Sequence, residues 1–125
     1  MPIDSREQTR PTLAALATDV CCLIVFAAIG RRSHAEGVDL AGVAATAWPF
    51  VAGAVVGWTL SLGWRRPYSL LPTGIAVWVC TIVVGMLLRK LTSAGVAPSF
   101  IVVASISTAV LLLGWRAAIL AMTRR

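Results

Sequence analysis

Four apolar runs, each long enough to cross a lipid bilayer as a helix, constrain this chain more than any other feature. They cover residues 13–30, 40–64, 72–88 and 98–116, and short segments carrying arginine or lysine separate them. At about 1.5 Å of rise per residue, a helix of about 18 residues reaches about 27 Å, close to the thickness of a hydrocarbon core. The pattern therefore predicts an all-α fold, a four-helix transmembrane bundle.

The composition supports a lipid environment. Hydrophobic residues make up 58% of the chain and charged residues 13%, too few charges for the surface of a soluble domain of 125 residues. The net charge of +6 would suggest nucleic acid on a soluble protein. Here the basic residues lie between the apolar runs, where membrane topology requires them, so we expect a lipid bilayer as partner and no nucleic acid.

The segments outside the spans are short. We expect a polar N-terminal tail at residues 1–11, a transmembrane domain at 12–122 and a basic C-terminal tail at 123–125. An alternative for the first run is a cleaved signal peptide, because Ser33-His34-Ala35 has the small-x-small pattern of a cleavage site. The length of that run and the Asp19 inside it favour a retained span.

The distribution of basic residues predicts the topology. Four spans place both termini on one side of the membrane. The basic residues on that side are Arg6, Arg10, Arg65, Arg66, Arg116, Arg124 and Arg125. The basic residues on the other side are Arg31, Arg32, Arg89 and Lys90. This excess predicts a multi-pass protein of the cytoplasmic (plasma) membrane with both termini in the cytoplasm.

The two halves of the chain resemble each other. At a shift of 58 residues, Arg31 falls on Arg89 and Cys22 on Cys80. At a shift of 51, Gly63-Trp64-Arg65 falls on Gly114-Trp115-Arg116. The matches predict two helical hairpins related by internal duplication, with the symmetry axis along the membrane normal.

Asp19 is the most informative single residue. A carboxylate in the middle of a span costs about 2.5 to 3.5 kcal/mol on insertion scales, so another group must offset it. One interpretation is a site that binds a proton or a cation. The other is a pair within the membrane, with Arg116, Thr18 or a tryptophan N–H as the partner, and both interpretations stay open.

The predicted far side of the membrane carries a second candidate site, a basic cup that would bind an anion or a lipid headgroup. Its residues are Arg31, Arg32, His34, Arg89, Lys90, Thr92 and Ser99. The alternative is ordinary snorkelling of arginine and lysine at helix ends. His34 is the only histidine, and the three cysteines lie in apolar runs without metal-binding spacing, so we expect neither a metal nor a cofactor.

A stripe of small residues marks a packing face on the second run. Gly53, Gly57 and Ser61 are spaced four apart and therefore lie along one helix face. Gly53 and Gly57 form a GxxxG motif, which lets another helix approach closely. The sequence does not show whether that helix belongs to the same chain.

Several short motifs, taken in order, resemble one family of bacterial membrane proteins. The motifs are Asp19…Phe26…Gly30-Arg31…His34, Trp48-Pro49, Pro72-Thr73-Gly74, Arg89-Lys90-Leu91-Thr92, Ala97-Pro98-Ser99-Phe100 and Gly114-Trp115-Arg116. From Leu13 to Arg116 the chain resembles the family known as domain of unknown function 3054. The resemblance implies a four-helix membrane protein and supplies no activity or ligand.

The leading hypothesis for function is a small transport or channel-like protein that uses Asp19 and the basic cup. The alternative is an accessory or structural subunit of a larger membrane complex, and both hypotheses leave room for a homodimer. A membrane enzyme ranks third, since the sequence contains no GxSxG, HExxH, P-loop or GxGxxG motif and no candidate catalytic residue.

Overall fold

The computed structural model describes residues 5–33, 38–92 and 96–123, with side chains described from residue 10 onward except that of residue 33. Its four long helices are α1 (Ser5–Ser33), α2 (Leu40–Leu60), α3 (Ile75–Leu91) and α4 (Pro98–Thr123). None of the described residues lies in a strand. All four helical segments are long and apolar enough to cross a membrane, which confirms the predicted four-helix transmembrane fold.

Three of the helices extend beyond the predicted apolar runs. Helix α1 begins at Ser5, inside the segment predicted as a polar tail, and α4 continues to Thr123. Helix α3 is shifted toward the C-terminus and covers Ile75–Leu91. Apolarity marks the part of a helix that lies in lipid, whereas backbone hydrogen bonds allow the helix to continue through polar turns into water.

Helix α2 ends earlier than predicted. It stops at Leu60, and Leu62 has a left-handed backbone with φ of 53°. The Ser61 hydroxyl donates to the Gly57 carbonyl at 2.7 Å, so this small residue lies at the helix end rather than in the middle of the packing face. The connection to α3 then contains a 3-10 turn at Gly63–Arg65 and an irregular turn at Leu70–Gly74.

The small-residue face of α2 packs against α3 of the same chain. A Cβ atom on Gly53 would lie 2.5 Å from the Cys80 carbonyl oxygen, and one on Gly57 would lie 2.6 Å from the Val77 Cα atom. The two backbones are therefore in direct contact, and larger residues would separate them. Because α3 covers this face, the face is not available to a separate subunit.

The core consists of one buried face from each helix. Its far end, where α1 and α3 finish, is aromatic: Phe26 and Phe50 pack edge to face with centroids 5.3 Å apart, and Phe50 lies 6.3 Å from Phe100. Gly85 of α3 leaves room for the Phe50 ring. The other end of the core, where α2 and α4 finish, is polar and contains the candidate site.

Candidate functional site

Asp19 lies on the buried face of α1. It is four residues from both Ala15 and Leu23, and all three side chains are 0% exposed. Residues four apart lie on one helix face, so the face that packs in the bundle carries the carboxylate with it. The helix therefore places Asp19 inside the protein rather than toward lipid.

Arg116 reaches this carboxylate from α4. Its Nη1 atom donates to Asp19 Oδ1 at 2.8 Å, and its Nη2 atom donates to Oδ2 at 2.7 Å. Arg116 continues the buried stripe of α4 formed by Ala104, Thr108 and Leu112 and is itself 0% exposed. The two parallel bonds form the fork-to-fork geometry that gives arginine–carboxylate pairs their strength and orientation.

Two indole N–H groups complete the hydrogen bonding of the carboxylate. Trp58 Nε1 on α2 donates to Asp19 Oδ2 at 2.8 Å, and Trp115 Nε1 on α4 donates to Oδ1 at 3.0 Å. Each carboxylate oxygen thus accepts two bonds, which about exhausts its capacity. We name Asp19, Arg116, Trp58 and Trp115 the clamp.

The remaining contacts of Arg116 tie the clamp to the α2–α3 connection. Its Nε atom donates to the Pro67 carbonyl at 3.1 Å, and its Nη1 atom also donates to the Leu112 carbonyl at 3.1 Å. The guanidinium carbon lies 4.5 Å from the centre of the Trp115 ring, within cation–π distance. Tyr68 packs edge-on against the same ring at 5.7 Å. One side chain therefore joins α1, α4 and the connection.

Burying an ion pair costs free energy, and removing only one of its partners destabilises the folded protein further. Removing two charges from water costs several kcal/mol per ion, which the mutual attraction and the added hydrogen bonds offset. Removing only one partner leaves a buried charge without compensation and typically costs about 3–5 kcal/mol. The clamp thus favours one arrangement of the helices over arrangements that separate Asp19 from Arg116.

The sequence offered a tryptophan N–H as a partner of Asp19 without identifying Trp58 or Trp115, and it gave no role to the Pro67 carbonyl. Trp58, Trp64 and Trp115 all lie near run ends beside arginine, the pattern of an interfacial aromatic belt. Only Trp64 is largely exposed, at 42%, whereas Trp58 is 5% exposed and points to the carboxylate. Thr18, another candidate partner of Asp19, donates instead to the Ala14 carbonyl of its own helix at 2.7 Å.

Two residues of the predicted basic cup contact neighbouring helices. Arg31 Nη1 donates to the Thr46 hydroxyl of α2 at 3.2 Å, and the Arg89 guanidinium lies 4.4 Å from the centre of the Phe100 ring of α4. The Thr92 hydroxyl donates to the Leu88 carbonyl at 2.8 Å. The other described members, Arg32, Lys90 and Ser99, are exposed. His34 lies outside the described residues.

Two further buried polar side chains are threonines of α3 and of the turn that precedes it. Thr73 and Thr81 are 0% exposed, and neither hydroxyl has a hydrogen-bond partner in the described part of the chain. By contrast, the buried Thr108 hydroxyl donates to the Ala104 carbonyl of its own helix at 2.6 Å. The interior of the bundle therefore contains polar groups that its own side chains do not satisfy.

No metal-binding cluster is found among the described residues. They contain no group of three or more His, Cys, Asp and Glu side chains that would hold an ion. The three cysteines carry free thiols.

Four membrane-length helices around a buried ion pair define a small multi-pass helical membrane protein. The chain belongs to the family described as "Protein of unknown function (DUF3054)", whose model matches residues 16–119. The match spans both Asp19 and Arg116 and confirms the family resemblance. A search of curated proteins and a search of solved structures each found no match.

Proposed function

We propose that this chain is a small transport protein of the cytoplasmic membrane, and that the clamp holds its closed form. In the open form Asp19 binds a proton or a cation, and Arg116 is the counter-charge that competes for the carboxylate. The observation that carries the proposal is the bidentate pair at 2.7 and 2.8 Å between two side chains that are 0% exposed.

The energetics of buried charges support a switching role for the pair. Apolar side chains of similar volume often replace a buried ion pair with no loss of stability. Packing alone therefore gives no reason to place a carboxylate and a guanidinium within a membrane. Ionisable groups within transmembrane segments are rare, face the interior of the bundle and mark ion or proton pathways.

Helix α4 is the element that would move between the closed and the open form. Only four of its side chains are buried: Ala104, Thr108, Leu112 and Arg116. Breaking the ion pair would remove two of the three hydrogen bonds that α4 makes to Asp19 of α1. The free hydroxyls of Thr73 and Thr81 would then provide hydrogen-bonding groups along the interior for water or a cation.

The basic cup would act on the opposite side, toward the exterior if both termini are cytoplasmic. Arg31 and Arg89 lie at the ends of α1 and α3 and are each braced by the next helix. With Arg32, His34, Lys90, Thr92 and Ser99 they would raise the local concentration of an anionic group or a headgroup.

Reconstitution in liposomes tests the proposal. A pH-sensitive dye inside the vesicles reports proton flux driven by a valinomycin-clamped potassium gradient. The D19N/R116Q variant is the matched test, because it removes both charges, keeps near-native side-chain volumes and preserves polar groups that can hydrogen-bond. We expect flux from the natural protein and none from the folded double variant. Flux no greater than that of protein-free vesicles, or full flux from D19N/R116Q, would contradict the proposal.

A second candidate function is that of an accessory or structural subunit. The observation that favours it is the saturation of the Asp19 carboxylate by four donors from its own chain, which suits a rigid brace. Purification in mild detergent separates the two candidates. A stoichiometric larger partner supports the accessory role, whereas recovery as a monomer or homodimer counts against it.

A further inference from the structure

The α2–α3 connection carries two neighbouring arginines that take no part in the clamp. Arg65 and Arg66 are both exposed and follow Trp64, which is 42% exposed. Of the acidic side chains that the structure describes, Asp19 is bound to Arg116, and Asp39 lies at the opposite end of α2. The positive charge of this turn is therefore not neutralised by the described carboxylates.

The turn that presents the two arginines is well tied. The amide N–H groups of Arg65 and Arg66 donate to the carbonyls of Leu62 and Gly63 at 2.9 and 3.1 Å. The Thr12 hydroxyl of α1 donates to the Trp64 carbonyl at 3.3 Å. These bonds fix the backbone of the turn against α1, so the turn presents both exposed arginines at the polar end of the bundle.

We propose that Arg65 and Arg66 bind the phosphate of an anionic lipid headgroup. Guanidinium groups bind phosphate oxygens through paired, charge-assisted hydrogen bonds, and two of them match one phosphodiester. Trp64 supplies the interfacial side chain that sits at headgroup level. The position of the turn at a membrane end of the helices makes a lipid the ligand, rather than a soluble phosphate compound.

The site is linked to the clamp through the backbone. Arg66 immediately precedes Pro67, whose carbonyl accepts a hydrogen bond from Arg116 Nε at 3.1 Å. The Arg66 carbonyl in turn accepts bonds from the Ser69 amide and hydroxyl at 3.2 and 3.0 Å. A headgroup held by Arg65 and Arg66 restrains the peptide that supports Arg116, so lipid binding stabilises the clamp. This inference does not depend on transport.

Native mass spectrometry measures lipid binding by the full chain. The protein is titrated with phosphatidylglycerol or phosphatidylcholine in zwitterionic detergent. R65Q/R66Q removes the site, and R124Q/R125Q removes the same charge from two arginines that belong to neither the clamp nor the basic cup. R65K/R66K keeps the charge but loses the planar fork. We expect R65Q/R66Q to weaken phosphatidylglycerol binding about tenfold or more, R65K/R66K to weaken it less, and the control to leave it unchanged.

Thermal unfolding provides an independent readout of the link to the clamp. Phosphatidylglycerol should raise the unfolding temperature of the natural chain and of R124Q/R125Q, and it should not raise that of R65Q/R66Q. Equal loss of binding in R65Q/R66Q and R124Q/R125Q, or no loss in either, would overturn the proposal. So would displacement of the lipid by millimolar inorganic phosphate, since that result assigns the site to a soluble anion.

Discussion

The tripeptide Gly-Trp-Arg occurs twice in this chain, and its two copies have opposite environments. At 63–65 it forms a 3-10 turn after α2, with Trp64 and Arg65 exposed. At 114–116 it lies within α4, with Trp115 and Arg116 both bonded to Asp19. The same three residues form an exposed turn in one half of the chain and contribute to a buried ion pair in the other.

The difference comes from the partners rather than from the tripeptide. Helix α4 continues for seven residues beyond Arg116, so its backbone carries the guanidinium into the bundle, where Asp19 of α1 provides the opposite charge. Helix α2 stops at Leu60, which leaves Arg65 outside the bundle. An arginine at the end of an apolar run is buried only where the fold supplies a carboxylate at the same depth.

Neutralising the arginine of each copy should produce the largest difference between them. R116Q leaves the buried Asp19 carboxylate without its counter-charge, and we expect a loss of about 3 kcal/mol or more in the free energy of unfolding. R65Q changes an exposed side chain and should cause no measurable loss in zwitterionic micelles. Reversible unfolding in mixed micelles of increasing sodium dodecyl sulfate measures both. The absence of a loss in R116Q would show that the pair does not support the fold.

Replacing the glycine of each Gly-Trp-Arg copy by alanine should have the opposite pattern, with the larger loss of stability in the first copy. A Cβ atom on Gly63 would clash with the ring of Trp58, the same indole that bonds to Asp19, so G63A should destabilise by about 1–3 kcal/mol. A Cβ atom on Gly114 meets nothing within 4 Å, so G114A should stabilise α4 by about 0.5 kcal/mol. The same unfolding assay measures these changes. A stable G63A together with a damaged G114A would contradict the packing described here.

Replacing the tryptophan of each copy should give a smaller difference in unfolding free energy between the two copies. W115F removes one of the four hydrogen bonds that Asp19 accepts and should cost about 1 kcal/mol. W64F removes an interfacial ring and should change the unfolding free energy little. If the effect depends on the Asp19 carboxylate, W115F should lower the unfolding free energy less in the D19N background than in the natural chain. An equal cost in both backgrounds would assign the effect to ring packing.

Removing a buried threonine hydroxyl should give the smallest change in unfolding free energy. T81V removes a hydroxyl without a described partner and keeps the shape of the side chain, so it should leave stability unchanged or raise it by up to about 1 kcal/mol. T108V is the matched control, since it removes a hydroxyl that is bonded to the Ala104 carbonyl. A clear loss in T81V but not in T108V would show that Thr81 has a partner in the folded protein.

The helices were predictable from the sequence because lipid imposes a simple rule on apolar runs. Their number followed from the runs at 13–30, 40–64, 72–88 and 98–116, but their ends did not. The sequence gives no sign that Leu62 has a left-handed backbone. Glycine is the residue that usually adopts this conformation, so the sequence would favour the neighbouring Gly63 instead. The early end of α2 depends on tertiary contacts, among them the ring of Trp58 packed against Gly63.

The candidate site was predictable only in outline. A lone carboxylate in a span requires a partner, and Arg116 was one of three candidates that the sequence offered for Asp19. The Trp58 N–H and the Pro67 carbonyl come from segments that are distant along the chain, and no periodicity connects them to α1. The small-residue face of Gly53 and Gly57 was evident from spacing, but only the structure identifies α3 as its partner.

A double-mutant cycle on D19N, R116Q and D19N/R116Q, measured as unfolding free energies in mixed micelles, tests the central claim most directly. If the two charges stabilise each other at membrane depth, each single variant should be strongly destabilised and the double variant should regain at least about 2 kcal/mol relative to the sum. If the two single effects add to within about 0.5 kcal/mol, the charges act independently and the clamp does not hold the bundle.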